Sequence, residues 1–184
     1  MSLPPEDQLL VLQRFVNNFS QDLLTACAAV GDASTPDAAK GFLIGGLNYA
    51  MDTLDMYPDH HKGIGIADDA IVLRLAAKLA KGAGAVSAAV DALATEANLV
   101  TVLFEDLAGP LEKMVSKFPE REVRGRTASK ILSHKDTQIM FEADVGREAK
   151  SRVPQSIGTG DAATRSINEL RKMMEHALKR AGLV

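Results

Sequence analysis

Tryptophan is absent from this chain of 184 residues, and aromatic residues make up only 4% of it. The hydrophobic residues, 46% of the sequence, are chiefly Ala, Leu, Val and Met, which favour helices or fit between closely packed ones. This composition argues against a β-sandwich or barrel. The one cysteine, Cys27, excludes an intramolecular disulfide framework and a cysteine-based zinc site, and we expect it to be a buried small residue.

Long apolar runs are also missing. The longest weakly polar stretch, residues 41–51, falls short of the roughly 20 apolar residues that a membrane-spanning helix needs. Glu6 and Asp7 stand where a secretory signal would carry positive charge. We therefore predict a cytoplasmic protein without a transmembrane segment.

Neither sign of charge dominates the chain, since the net charge is only -3. Residues 1–70 nevertheless carry ten acidic and three basic side chains (-7), whereas residues 71–184 carry fourteen acidic and eighteen basic ones (+4). This asymmetry favours association with a protein partner or between copies of the chain. It is too mild to predict nucleic-acid binding.

Apolar residues recur at alternating steps of three and four along much of the chain, which predicts an all-α bundle of about six helices. The first stripe covers residues 9–30, and a second helix is expected from about residue 37 to residue 57. The longest stripe, residues 86–118, predicts either a core helix packed within the chain or an intermolecular coiled-coil seam. Pro110 predicts a kink in this helix at residues 106–109.

The weakest pattern covers residues 119–160. Residues 137–146 alternate as in a strand, whereas residues 137–150 also fit a helix capped by Asp136, which is the assignment we favour. We expect a helical domain over residues 1–150, a Pro- and Gly-containing linker over residues 151–160, and an amphipathic C-terminal helix over residues 161–184 that is capped by Asp161.

The most specific feature is an aspartate-rich helix, turn and helix element running from Tyr49 to Asp69. Asp52 and Asp55 are expected in the last turns of a helix, where the helix dipole disfavours negative charge. Carboxylates in this position need a partner. The partner could be the free N–H groups at the start of the third helix, a cationic side chain such as Lys62 or Arg74, or a divalent metal ion.

Two interpretations of this element stay open. In the first, Asp68 caps the third helix, Asp59 after Pro58 closes a turn, and Gly63 and Gly65 supply positive φ angles, so that the element is a rigid structural corner. In the second, carboxylates converge on a hard divalent cation such as Mg²⁺ or Mn²⁺. The residues that would hold this cation are Asp55, Asp59, Asp68 and Asp69.

The same element resembles the YkvA-like family of small bacterial domains of unknown function, whose signature combines Tyr, Asp, Pro-Asp, Gly and Asp-Asp. The resemblance covers residues 45–79, and the matching positions are Tyr49, Asp55, Pro58, Asp59, Gly63, Gly65, Asp68 and Asp69. His-His-Lys at residues 60–62 replaces an apolar stretch of the family. The resemblance implies this structural element and a suspected membrane association, but no established activity.

A basic stretch follows later in the chain, and its interleaved acids predict a solvated face, not an RNA groove. Its members are Arg121, Arg124, Arg126, Lys130 and Lys135. His134 and His176 are expected to be surface histidines. Taken together, these patterns predict a non-enzymatic interaction or scaffold protein. The alternative is a divalent-metal-binding protein, such as a metal-dependent hydrolase, built on the aspartate cluster.

Overall fold

The computed structural model of the chain describes residues 3–52, 56 and 64–184. Within them the structure is helical, which confirms the all-α prediction. Three short 3₁₀ turns, at Ile64–Ile66, Glu105–Leu107 and Phe118–Glu120, accompany the α-helices. The α-helices are α1 Pro5–Gly31, α2 Asp37–Ala50, α3 Ala67–Gly82, α4 Ala88–Phe104, α5 Ala108–Val115, α6 Ala128–Ser133, α7 Lys135–Ser151 and α8 Gly160–Arg180.

Helix α3 is the centre of the bundle, because it packs against α1, α2, α4 and α5. Every position from Ala67 to Ala77 is buried, so this helix has no solvent face over its first three turns. The polar side chains in that stretch must therefore find partners inside the protein. None of the α-helices within the described residues is long and apolar enough to cross a membrane.

Two consecutive glycines bring α2 close to its neighbours. A Cβ atom at Gly46 would lie 2.7 Å from the Cβ of Ala76 on α3. A Cβ atom at Gly45 would lie 2.9 Å from the backbone carbonyl carbon of Phe118. Both distances are shorter than a van der Waals contact, so the packing of α2 requires that residues 45 and 46 have no Cβ atom.

The apolar stripe over residues 86–118 is divided between two helices. The chain breaks at Glu105, which has a φ of 42°, and α5 begins three residues later. The expected kink thus lies one to four residues earlier than predicted and is a full interruption. Most stripe residues from Val90 to Phe118 are buried within the chain. The stripe therefore packs inside the protein, as the first of the two predicted alternatives requires. Val86 was wrongly included, because it precedes α4 and is 75% exposed.

Several helix ends differ from the sequence-based expectations. Helix α2 ends at Ala50 instead of near residue 57, so Asp52 lies beyond the helix. The strand pattern at residues 137–146 was misleading, because this segment belongs to α7. Asp136 and Asp161 are not caps, since α7 and α8 begin one residue earlier and neither carboxylate makes a capping hydrogen bond.

The segment between α7 and α8 is irregular, as expected of a linker, but it is held against α1. Gln13 Nε2 donates to the carbonyl of Gln155 over 3.0 Å, and the N–H of Ile157 donates to Gln13 Oε1 over 2.9 Å. Ile157 is buried. Helix α8 packs against α1, α5 and the Ile64–Ile66 turn, so the C-terminal helix is part of the same core.

We expect Gly46→Ala to lower the free energy of unfolding by about 1–3 kcal/mol, because its methyl group would overlap Ala76 and neither backbone can easily move. Gly146→Ala is the matched control. A Cβ at Gly146 in α7 meets nothing within 4 Å, so this change should stabilise by about 0.5–1 kcal/mol through helix propensity. Urea unfolding of both variants checks the close approach of α2 and α3. A Gly46→Ala protein as stable as the wild type would contradict it.

Candidate functional site

The aspartate-rich element folds into a buried polar corner between α2 and α3. Tyr49, on the last turn of α2, donates its hydroxyl hydrogen to Asp68 Oδ2 over 2.7 Å. The same hydroxyl accepts the backbone N–H of Met56 over 2.6 Å. Tyr49 therefore links α2, the connecting segment and α3 through one oxygen atom.

Asp69 faces a different partner. Arg152, which directly follows α7, lies with its Nη2 3.2 Å from Asp69 Oδ2 and donates from the same nitrogen to the carbonyl of Ala50 over 2.9 Å. Its Nε donates to Glu148 Oε1 over 2.8 Å. One guanidinium thus joins the carbonyl end of α2 to the first turn of α3. A buried carboxylate needs such a partner to remain charged.

Asp52 occupies the outer side of the corner, where it accepts a hydrogen bond from Arg121 Nη2. The Arg121 guanidinium also lies 5.7 Å from the ring centre of Tyr49 and 5.6 Å from that of Phe118. These two rings stack with their centres 5.3 Å apart. The cation and the stacked rings cover the polar corner from outside.

The structure corrects two details of the predicted corner. Asp68 is not the N-cap of α3, because the helix begins at Ala67 and the Asp68 carboxylate is directed to Tyr49. Gly65 lies in the buried Ile64–Ile66 turn and does not have a positive φ. The other predicted members, Asp55, Pro58, Asp59 and Gly63, lie outside the described residues, as do residues 60–62.

Asp68 and Asp69 are both 0% exposed. Burial, followed by the negative charges of Asp68 and Asp69, raises the pKa of the Tyr49 hydroxyl well above its usual value of 10.0. The phenol is therefore held neutral and donates to the carboxylate. Among the described residues, no group of three His, Cys, Asp or Glu side chains is arranged to hold a metal ion.

A second buried charge lies five residues beyond Asp69 along α3. Arg74 is 0% exposed and binds Glu96 of α4 through Nε and Asp22 of α1 through Nη2, each over 2.8 Å. Its guanidinium also lies 3.8 Å from the ring centre of Phe15. Burial raises the pKa of Asp22 despite the neighbouring Arg74, so desolvation outweighs attraction at this carboxylate. Within the described residues Arg74 thus pairs with Asp22 and Glu96, and not with Asp52, Asp68 or Asp69 as the sequence allowed.

An open cleft of about 870 Å³ lies between the start of α2, the Phe118–Glu120 turn and α6. Phe42 and Leu132 form half-buried apolar parts of its wall, and the carboxylates of Asp37 and Glu120 stand at its edge. No Lys, Arg or His lines the cleft within the part of the chain that the structure describes. Sequence patterns missed this cleft, because its walls come from segments about 80 residues apart.

Ser133 lines the same cleft and lies beside His134, a pair that sequence reasoning did not single out. The Ser133 Oγ is 2.8 Å from His134 Nδ1, which is also 3.3 Å from the carbonyl oxygen of Lys130. The Ser133 Oγ also donates to the carbonyl of Lys130 over 3.4 Å. Both side chains therefore lie at the carbonyl end of α6.

We expect the ionisation of Tyr49 to be coupled to unfolding. Because its folded-state pKa is raised, the stability that the neutral phenol contributes is fully present below about pH 10 and is lost as the pH rises toward the folded-state pKa. In a Tyr57→Phe background Tyr49 is the one remaining tyrosine. Near-ultraviolet absorbance should then show phenolate only together with loss of helical circular dichroism. Reversible ionisation near pH 10 in the folded protein would contradict this.

Neither the family models, nor the curated proteins, nor the solved structures compared with this chain gave a match. The resemblance to the YkvA-like family therefore stays a prediction.

Proposed function

We propose that this chain is a non-enzymatic interaction protein whose open cleft binds a protein segment carrying an apolar side chain flanked by Lys or Arg. The observation that carries the proposal is the composition of the cleft wall, which is apolar at Phe42 and Leu132 and acidic at Asp37 and Glu120. A volume of about 870 Å³ is in the range of small-ligand sites, so one or two side chains of a partner would fit.

The apolar part of the wall supplies the affinity in this proposal. Phe42 and Leu132 remain half-buried although α2 and α6 pack against each other beneath them. Covering the exposed part of their surfaces would be favourable by about 25 cal/mol for each Å² removed from water. Pro119 and Ala128 complete an apolar surface without further charge. This surface suits an aliphatic or aromatic side chain of the partner.

The edge of the cleft supplies the selectivity. Asp37 and Glu120 are exposed, and no salt bridge to either is found within the described residues. A flanking Lys or Arg would be attracted to these two carboxylates, whereas a flanking Asp or Glu would be repelled. A second copy of the chain or a different protein could supply such a segment.

The buried corner supports a non-enzymatic function indirectly. Asp68, Asp69 and Tyr49 make contacts that hold α2 and α3 together, so these groups have a structural use without a substrate. A divalent-metal site or a metal-dependent hydrolase remains the alternative. It depends on Asp55 and Asp59, which lie outside the described residues, and no contact of a described residue favours it.

Blocked tetrapeptides test the cleft, with methyl NMR spectra as the readout. The probe Lys-Leu-Phe-Lys should shift the methyl signals of Ala38, Ala128 and Leu132 at millimolar concentration. The probe Glu-Leu-Phe-Glu should bind about three- to tenfold more weakly, because each exposed charge pair contributes about 0.2–1 kcal/mol.

Two matched double variants distinguish recognition by the cleft from an effect of the overall charge of the protein. The Asp37→Asn, Glu120→Gln double variant should abolish the preference for the Lys-flanked probe, while Asp136→Asn with Asp161→Asn, which changes exposed carboxylates elsewhere, should preserve it. Equal binding of both peptides to the wild type, or methyl shifts spread over the whole surface, would refute the proposed recognition.

A further inference from the structure

Three arginines surround one carboxylate where the turn before α6 meets α7. Asp144 of α7 accepts hydrogen bonds from the Nη2 atoms of Arg126 and Arg147, and Arg124 Nη1 lies 4.0 Å from its Oδ2. One negative charge thus faces three positive ones. The cluster carries an excess of two positive charges.

This excess charge is partly buried. Arg126 is only 7% exposed, and its Nε and Nη1 have no hydrogen-bond partner within the part of the chain that the structure describes. Solvent screens a buried guanidinium only weakly, so its charge acts strongly on the two arginines nearer the surface. The four side chains together thus carry a net positive charge that a further anion would offset.

The two outer arginines are accessible from solvent. The side chains of Arg124 and Arg147 are 46% and 72% exposed, and they approach Asp144 at different oxygen atoms. Both guanidinium groups thus lie next to the same carboxylate. An anion on the solvent side of Asp144 could accept hydrogen bonds from the N–H groups of the two forks that do not face Asp144, since arginine offers such forks to phosphate.

The backbone fixes the position of Arg124. Val123 and Arg126 exchange backbone hydrogen bonds of 3.0 Å, and the two residues between them have positive φ angles, 51° at Arg124 and 74° at Gly125. These angles form a tight turn of the type that joins hairpin strands. Lys130 Nζ also donates to the carbonyl of Gly125 over 3.0 Å. The turn holds Arg124 above α7.

We propose that Arg124 and Arg147, backed by the buried Arg126, form a binding site for a phosphate-monoester dianion. A dianion matches the excess of two positive charges, and its oxygen atoms provide acceptors for both outer guanidinium groups. The site is separate from the cleft residues invoked above. The phosphate belongs to a phosphorylated side chain of a protein or to a free phosphate compound, which share this chemistry.

Isothermal titration calorimetry at low ionic strength tests the site with two probes, inorganic phosphate and N-acetyl-phosphoserine amide. The wild type should bind both saturably in the low millimolar range. Tighter binding of the phosphoserine probe would indicate a phosphorylated protein, and equal binding would indicate recognition of the phosphate group alone. Either result supports the site if it depends on the two outer arginines.

The variants Arg124→Gln and Arg147→Gln should each weaken binding by about threefold or more, and the double variant by about tenfold. Arg165→Gln, which removes an exposed arginine of α8, is the matched control and should bind as the wild type does. Both outer arginines are exposed, so the variants should keep the helical circular dichroism of the wild type. No saturable binding, or an equal loss in Arg165→Gln, would overturn the proposal.

Discussion

The burial of charged and polar side chains on α3 is the constraint on which the rest of the structure depends. Asp68, Asp69 and Arg74 are all 0% exposed, and an unpartnered charge at such a position would cost several kcal/mol. Each of them has a partner in a different part of the bundle. Asp68 binds Tyr49 of α2, and Asp69 binds Arg152 at the end of α7. Arg74 binds Asp22 of α1 and Glu96 of α4. The identity of these partners determines which helices can surround α3.

Much of the fold follows from local patterns in the sequence. The stripe over residues 9–30 corresponds to α1, and Pro5 and Gly31 lie at its two ends. The patterns failed where backbone geometry or long-range contacts decide the outcome. Pro110 predicted an interruption of the long apolar stripe, but no residue type indicates that it falls at Glu105 with a φ of 42°. At residues 137–146, an alternation of apolar residues is compatible with both periods, and burial of Phe141 and Val145 against α1 settles it as helix.

The sequence predicted the location of the candidate site but not the contacts within it. The unusual density of aspartates around residues 49–69 pointed correctly to a junction of two helices, and Tyr49, Asp68 and Asp69 meet there. Their partners could not be read from the sequence, because Arg152 is more than 80 residues away along the chain. The same limit applies to the arginine cluster, which appeared as a solvated basic stretch until α7 supplied Asp144 and Arg147. Asp55 and Asp59 lie outside the described residues, so their part in the predicted metal site stays a prediction.

A double-mutant cycle between Tyr49 and Asp68 is the most direct test of the claim that protein groups satisfy the buried carboxylates. Urea unfolding of the wild type, Tyr49→Phe, Asp68→Asn and the double variant gives the coupling free energy of the pair. We expect a stabilising coupling of about 1.5–3 kcal/mol, as for a buried hydrogen bond to a charged group, with the same value in EDTA and in excess Mg²⁺. Additive effects within about 0.5 kcal/mol, or a coupling that appears only with Mg²⁺, would contradict the account.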